Sequence, residues 1–475
     1  MRYNLSKKQQ TVLLAMPALL FLLCYLSLCF NNNIWTDEGF TIELLKEDFA
    51  GIIRGTASDV HPPLYYLIAK CATLVFGDGL FLLKLVSILP MVLCMTVGAG
   101  IVWKRFGLRE AVLFSVFLGV IPCTMEYAVQ VRMYSWAIFF VTFMALWAYE
   151  AYLEGKWRYY AGIILASAAA AYTHYFAFVS VILVYGFLFL ALAAAKRREL
   201  GKWLLSVGAS LLLYAPWIPY MRLQIKGVSR NYWIEEITGE TVKEFFPFLF
   251  DMGIPGTTLI WLSLLAVSLL LAVRMIVSGQ RDMAQQGRAR GIFALLCLLT
   301  PVFTAVTGIV ASALIRPVFI VRYLLPCMGL LALFAAITLA AYAGKAVYAA
   351  LLFFLLCAGG VDYGQSIYRE YEWTHTKETE EFLAANVGEH DIIAYNYESY
   401  KFIYDYYWSD DQKILWQEVN LDDNDYDTIW LLDTIYWPTP TDPYLAEHGW
   451  QKEFMGNYGI EHNDFKIYKI ERISH

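Results

Sequence analysis

The sequence predicts a polytopic α-helical membrane protein with a small α/β domain at its C-terminal end. Three observations predict it. Of 475 residues, 59% are hydrophobic and 16% charged, against about 25% charged in soluble domains. Long apolar runs recur from Thr11 to Gly360. From Val361 to His475 the chain instead reads as soluble protein, rich in Asp, Glu and Tyr. The net charge of −6 says little for such a chain, because the sign differs by compartment: bases gather in the short loops and acids in the tail. Nothing points to a nucleic-acid partner. The eight cysteines, among them Cys24, Cys94, Cys297 and Cys357, lie mostly inside apolar runs and form no CxxC pair. This argues against a disulfide framework or a structural zinc site.

A helix needs about 20 mostly apolar residues to cross roughly 30 Å of hydrocarbon. On that length about eleven spans are expected, near residues 11–30, 80–103, 109–124, 133–153, 159–174, 176–195, 203–221, 257–278, 291–312, 323–343 and 345–361. The first follows a basic segment, Met1–Gln10. It is too long for a signal-peptide core and has no small-residue cleavage site before Asn31, so it reads as a retained span. Pro62–Phe76 is apolar on one side, short, and carries Lys70. If it crossed the membrane, every later loop would change sides. Laid on the outer surface as an amphipathic helix, it leaves Lys104, Arg105, Arg109, Lys156, Arg158, Lys196, Arg197, Arg198, Lys202, Arg281, Arg288, Arg290 and Lys345 in the cytoplasm, as the positive-inside rule requires. The outer elements are then 31–79, the turns at Met125–Arg132 and near His174, the loop 222–256, the turn 313–322 and the tail. The expected division is a transmembrane domain at 1–361, with 31–79 as its first outer loop, and an extracytoplasmic domain at 362–475.

In the tail, residues 374–386 have helix-like spacing. Asp391–Tyr395 and Thr428–Leu432 are short β-rich runs, and Phe465–Ile470 alternates as an edge strand would. Strands alternating with helices suggest βαβ units.

The residues that carry chemistry all fall on the expected outer face. The first loop begins Trp35-Thr36-Asp37-Glu38. A carboxylate held at a membrane surface can serve as a general base; the plainer alternative is a helix N-cap at Thr36 or Asp37. His61-Pro62-Pro63-Leu64-Tyr65-Tyr66 follows, the prolines fixing entry to a helix and the tyrosines expected at the interface. Glu126, Gln130, Arg132 and Tyr134 lie between two apolar runs. Arg132 can hold a phosphate by charge-assisted bonds, or snorkel to lipid headgroups. Arg316, Arg322 and Tyr323 form a second group, and Tyr172-Thr173-His174-Tyr175 reaches the same face. Asp37, Glu38, His61 and His174 together offer ligands for a divalent metal, although no pair has helical ligand spacing.

Together these motifs resemble the GT-C superfamily of integral-membrane glycosyltransferases. Glycosyltransferase family 39 is the nearer likeness, with its protein O-mannosyltransferases and lipid A aminoarabinose transferase. The resemblance covers about residues 10–330 and rests on Trp35–Glu38, His61–Tyr66, Arg132-Met133-Tyr134, Thr173-His174-Tyr175 and Arg322-Tyr323-Leu324-Leu325-Pro326. It implies a GT-C fold and transfer of a sugar from a polyprenyl-phosphate donor, at the membrane, to an envelope glycan, lipid or protein. It makes Asp37 the catalytic base with Glu38 beside it. Substrate contacts fall to His61, Tyr65, Arg132, Tyr134, His174, Arg316, Arg322 and Tyr323. No cofactor is required, and a divalent metal fits the reading. Family members often have an acid two residues before the Arg of the RMY turn; here Gln130 stands there. Two other readings compete: a lipid or sugar transporter or flippase, and an inactive envelope-assembly protein.

Overall fold

The computed structural model describes residues 5–473, apart from 32, 231–233, 235, 278–283, 372–374, 409–411, 423–425, 436–437 and 461–462. Arg281 therefore lies outside the described residues. The chain divides into two compact units. The first holds residues 1–30 and 49–366, and the second residues 31–48 and 367–475.

The first unit is helical. It begins with α1 (Lys7–Ser27), capped by Ser6, whose hydroxyl accepts from the Gln9 amide while the Gln9 side chain accepts from Ser6 N–H. The short helices α3 (Phe49–Ser58) and α4 (Leu64–Phe76) follow; α2 belongs to the second unit. Helix α5 (Leu80–Leu93) runs through a π-helical turn into α6 (Ala99–Arg105). Then come α7 (Leu108–Val120), α8 (Pro122–Val129), α9 (Tyr134–Glu154), α10 (Trp157–Ala171), α11 (Tyr175–Ala195), α12 (Leu200–Tyr214) and α13 (Ile218–Arg230). Helices α14 (Gly239–Phe250), α15 (Thr257–Val277), α16 (Ala284–Leu314), α17 (Met328–Tyr342) and α18 (Lys345–Tyr371) complete the series.

Among the described residues, nine helices are long and apolar enough to cross a membrane, or ten if one bent pair counts as a span. The chain is a multi-pass membrane protein. The bent pair is the span expected near 109–124. It breaks between α7 and α8 by 70°, because Pro122 has no N–H to continue the ladder. The Thr124 hydroxyl reaches back to the freed carbonyl of Leu118 at 2.6 Å and to that of Ile121 at 2.7 Å. The span expected at 159–174 is α10, only 15 residues long, or about 22 Å at 1.5 Å per residue.

Helix α17 forms the centre of the bundle, buried along almost its whole length. It approaches α9 so closely that a Cβ on Gly329 would stand 1.9 Å from the Thr142 hydroxyl. Small residues allow such contacts where lipid supplies no hydrophobic drive between helices. At its C-terminal end α9 stops at Gly155, whose φ of 63° suits a residue without Cβ. There Glu150 and Glu154 both pair with Arg105, and Lys156 reaches Glu154 at 2.6 Å. Arg290 donates to the carbonyls of Arg105 and Phe106 at 3.0 Å each. The basic loop residues of this end are thus matched by acids and helix carbonyls.

The second unit contains α2 (Thr36–Lys46), packed on α20 (Lys401–Tyr407) so tightly that a Cβ on Gly39 would meet the Phe402 carbonyl at 2.6 Å. Its sheet has the order β2-β1-β3-β5-β4, with β1 (Ile392–Tyr395), β2 (Lys413–Leu415), β3 (Thr428–Thr434), β4 (Trp450–Ile460) and β5 (Asn463–Arg472). Strands β2, β1 and β3 are parallel, and β5 is antiparallel to both β3 and β4. The run expected as an edge strand is therefore interior. Its charged positions, Lys466 and Lys469, alternate with Phe465, Ile467 and Ile470, which are buried. Helices α19 (Thr376–Asn386) and α20 cover one face, through Leu383, Ile403 and Tyr404, and α21 (Asp442–Glu447) covers the other, through Leu445.

Candidate active site

The site is built on turns at the end of the membrane unit where α9 begins. Helix α3 ends at Ser58, and Asp59-Val60-His61-Pro62-Pro63 leads into α4. The turn is pinned from two sides. Leu64 N–H donates to the Tyr172 carbonyl at 2.9 Å. The Gln224 side chain, from α13, donates to the Thr56 carbonyl at 2.7 Å and itself accepts from the Tyr175 hydroxyl. His61 is buried, and its Nδ1 stands 2.9 Å from Asp59 Oδ2. Burial pushes the Asp59 carboxyl up, but the hydrogen bond and charge of His61, with the charge of Arg132, outweigh this and hold it below the usual range.

Tyr65 and Tyr66, expected at the membrane interface, are instead fully buried. The reason is their hydroxyls, which find partners inside the bundle. Tyr65 meets Ser87 of α5 at 3.0 Å, and Arg132 Nη1 donates to Tyr66 at 3.3 Å. The exposed part of α4 is its far end, Leu74, Val75 and Phe76. Arg132 is only 2% exposed, in the turn between α8 and α9, so it does not snorkel. Tyr134 opens α9; its ring lies edge-on to Tyr127 at 5.1 Å and 5.8 Å from His174.

His174 caps α11. Its Nδ1 accepts from the Phe176 amide at 3.1 Å, which leaves the ring proton on Nε2. Burial first, then the charges of His61, Arg132 and Arg322, hold the imidazole well below its ordinary pKa and so neutral. The rings of His61 and Tyr323 stand 5.9 and 5.0 Å from it. A cavity of about 250 Å³ opens among these groups. His61, His174, Tyr175, Gln224, Arg316 and Tyr323 supply its polar groups, apolar residues such as Phe176, Ile225 and Val318 line it too, and among the described residues no carboxylate lies in the wall itself, the Asp59 carboxylate standing on His61.

His61, His174, Arg316 and Tyr323 thus share one cavity wall. Tyr134 packs against His174, and the charges of Arg132 and Arg322 reach it. Tyr65 stands beside Tyr66, the phenol that Arg132 holds, with ring centroids 5.6 Å apart. Asp37 and Glu38 belong to the second unit. The helix cap there is Trp35, not Thr36 or Asp37: buried Glu38, three residues on, accepts from Trp35 N–H at 3.1 Å. Asp37 is half-buried in the first turn. Among the described residues, no group of three or more His, Cys, Asp or Glu side chains is placed to hold a metal ion.

Three residues of this region escaped the sequence reading. Lys84 is a fully buried cation on the same face of α5 as Ser87. A charge inside an apolar run was a readable signal. Asp59 precedes His61 by two residues, a spacing also open to view. Gln224 acts across more than 160 residues, and nothing local marks it.

A family model described as dolichyl-phosphate-mannose-protein mannosyltransferase matches residues 60–220, a stretch that includes His61, Arg132 and His174. No curated protein matches the sequence. Among solved structures, the crystal structure of ArnT from Cupriavidus metallidurans in the apo state aligns over 96% of this chain and 97% of its own, with a TM-score of 0.58 at 13% identity. The chain shares the GT-C fold of that structure. The same GT-C protein bound to undecaprenyl phosphate aligns over 98% of both chains, again at 0.58 and 13%. The cryo-EM structure of the arabinofuranosyltransferase AftD from Mycobacteria gives 0.51 at 13% identity. That alignment takes in 99% of this chain but only 40% of AftD, so this chain spans less than half the length of that protein.

Proposed function

We propose that this GT-C chain is a glycosyltransferase that moves a sugar from a polyprenyl-phosphate carrier to an extracytoplasmic glycan, lipid or protein. One observation carries the reading: a mostly apolar cavity holds His61, His174 and Arg316 in its wall, and the charges of Arg132 and Arg322 reach His174 there. Arginines brought near one cavity can hold an anionic group through charge-assisted bonds. Apolar walls beside that anion site suit a lipid phosphate better than a soluble one. The family model, named for a dolichyl-phosphate-mannose transferase, and the ArnT structure bound to undecaprenyl phosphate support the same donor class.

The reaction is a single displacement with inversion at the anomeric carbon. Asp37, the base by resemblance, takes the proton of the acceptor hydroxyl as its oxygen attacks. The bond from the anomeric carbon to the phosphate oxygen breaks, and its electron pair leaves with the lipid phosphate. Arg132, Arg322 and Arg316 stabilise that charge as it grows. The neutral His174, with its proton on Nε2, adds a donor at every physiological pH. The basic loops at the far end of α9 belong in the cytoplasm. The site and the C-terminal domain are then extracytoplasmic. Binding is the test. The purified protein in nanodiscs should bind a polyprenyl phosphate, and Arg132→Ala should weaken that binding by at least about tenfold, the loss expected for one charge-assisted contact. Equal binding by both proteins would remove Arg132 from the phosphate site.

A further inference from the structure

A second cavity, of about 220 Å³, lies among α9, α11 and α16, toward the other end of α9 from the site above. Its α9 wall reaches Tyr152, about 27 Å along the helix from Tyr134 at 1.5 Å per residue. Its α16 wall is a stripe at helical spacing, Ala289, Ile292, Phe293 and Leu299. That stripe runs for about 15 Å, half of the roughly 30 Å of hydrocarbon in a bilayer. The cavity therefore serves one leaflet, the one on the basic side. Apart from two tyrosine hydroxyls its walls are apolar, and Leu190 and Ile292 are exposed at its rim, so it opens sideways to lipid.

Two cations flank its basic end. Arg288 stands one turn before Ile292 on the same face of α16. It is exposed, and among the described residues it pairs with no carboxylate. Lys196, just past α11, holds its ammonium 5.0 Å from the centre of the Tyr152 ring and donates to the Leu153 carbonyl at 2.9 Å. The acids of the last turns of α9 and of the link after α11 are engaged by other bases: Glu150 and Glu154 by Arg105, and Glu199 by Lys202. A carbonyl satisfies the hydrogen bonds of Lys196 without cancelling its net charge.

We propose that this groove holds one chain of an anionic glycerophospholipid from the leaflet on the basic side, with Arg288 and Lys196 on its headgroup phosphate. Inside a bilayer the apolar walls meet hydrocarbon, and an acyl chain laid along the α16 stripe covers them. The two uncancelled cations at the mouth select a headgroup of net negative charge over a zwitterionic one, as basic pockets between transmembrane helices do. This lipid is distinct from the sugar donor, whose phosphate belongs at the other end of α9. Its part is structural: it fills the space among three helices and binds only the folded bundle, which raises stability by mass action.

The experiment is native mass spectrometry of the purified full chain in detergent, titrated with phosphatidylglycerol or with phosphatidylcholine of the same acyl chains. One phosphatidylglycerol should stay bound under conditions that strip phosphatidylcholine, and it should raise the thermal midpoint. Arg288→Gln should weaken its binding by about fivefold, the effect of one cation near a headgroup, and Lys196→Gln by a similar factor. Because Arg288 is exposed, its variant tests the headgroup without disturbing the packing. Ile292→Trp fills the groove at its rim and should weaken binding with both cations in place. Arg158→Gln removes the same charge from a residue already paired with Glu154, and should change nothing. Equal retention of phosphatidylcholine, an equal loss in Arg158→Gln, or unchanged binding by Ile292→Trp overturns the inference. Equal stabilisation by glycerol 3-phosphate alone overturns it too, since that marks a site for a free phosphate. So does tighter retention of a polyprenyl phosphate than of phosphatidylglycerol.

Discussion

The two ends of α9 use arginine for opposite purposes. At the last turn Arg105 is shared by Glu150 and Glu154, and Arg290 is spent on helix carbonyls. At the first turn Arg132 bonds a buried phenol. With Arg322 it acts on a neutral histidine in the wall of a cavity that also holds Arg316. About 30 Å separates the two ends, from the length of a 21-residue helix. Charge balanced within the protein fixes helix ends. Charge gathered beside the cavity is the arrangement that the proposed phosphate donor would use.

Removing arginines from the two ends sharpens the contrast. Arg132→Ala and Arg322→Ala should each cost the transfer step about 2–4 kcal/mol, the scale of one preorganised donor to a transition-state anion. The double variant should lose less than the sum, as groups acting on one charge do. Lys at either position should rescue only in part, because it lacks the bidentate fork. Single-turnover assays on variants checked for folding measure this, and simple additivity would mean that the two arginines hold different groups. Next in size, Asp37→Asn should slow transfer by about a hundredfold, the usual scale of general-base catalysis, at unchanged protein level. Near-normal transfer would take Asp37 out of the mechanism. Glu38→Gln should slow transfer less, and should weaken the start of α2 by about 1 kcal/mol, since its carboxylate closes the cap. Arg105→Ala should have the smallest effect on transfer. It should lower the thermal midpoint in detergent by the few degrees that about 1–3 kcal/mol represents, with kcat unchanged. A loss of kcat there as large as at Arg132 would erase the distinction between the two ends.

The contrast also marks what was legible in the sequence. Apolar run length located the long spans, because a bilayer imposes that length directly. It missed the break at Pro122, since both halves stay apolar and only the missing N–H separates them. In the soluble unit β3 was readable as a compact β-branched run. Strand β4 was not, because its burial follows no clean alternation. Strand β5 was read as an edge from its alternation, although it is paired on both sides. At the site, the arginines, histidines and Tyr134 stood out as polar groups at the ends of apolar runs. Tyr65 and Tyr66 were read as interface anchors because burial cannot be seen in an amphipathic pattern alone. The roles of Asp59 and Gln224 depend on tertiary contacts, which local spacing does not encode.

The central claim is that the cavity at the start of α9 receives a polyprenyl-phosphate sugar and that this donor gives up its sugar there. Purified protein in nanodiscs, supplied with a polyprenyl-phosphate sugar labelled in the sugar, tests it most directly. The account predicts that label leaves the lipid with wild type and with Arg105→Ala, and stays on it with Arg132→Ala. Release by Arg132→Ala at the wild-type rate, or no release by wild type from any polyprenyl-phosphate sugar, would contradict it.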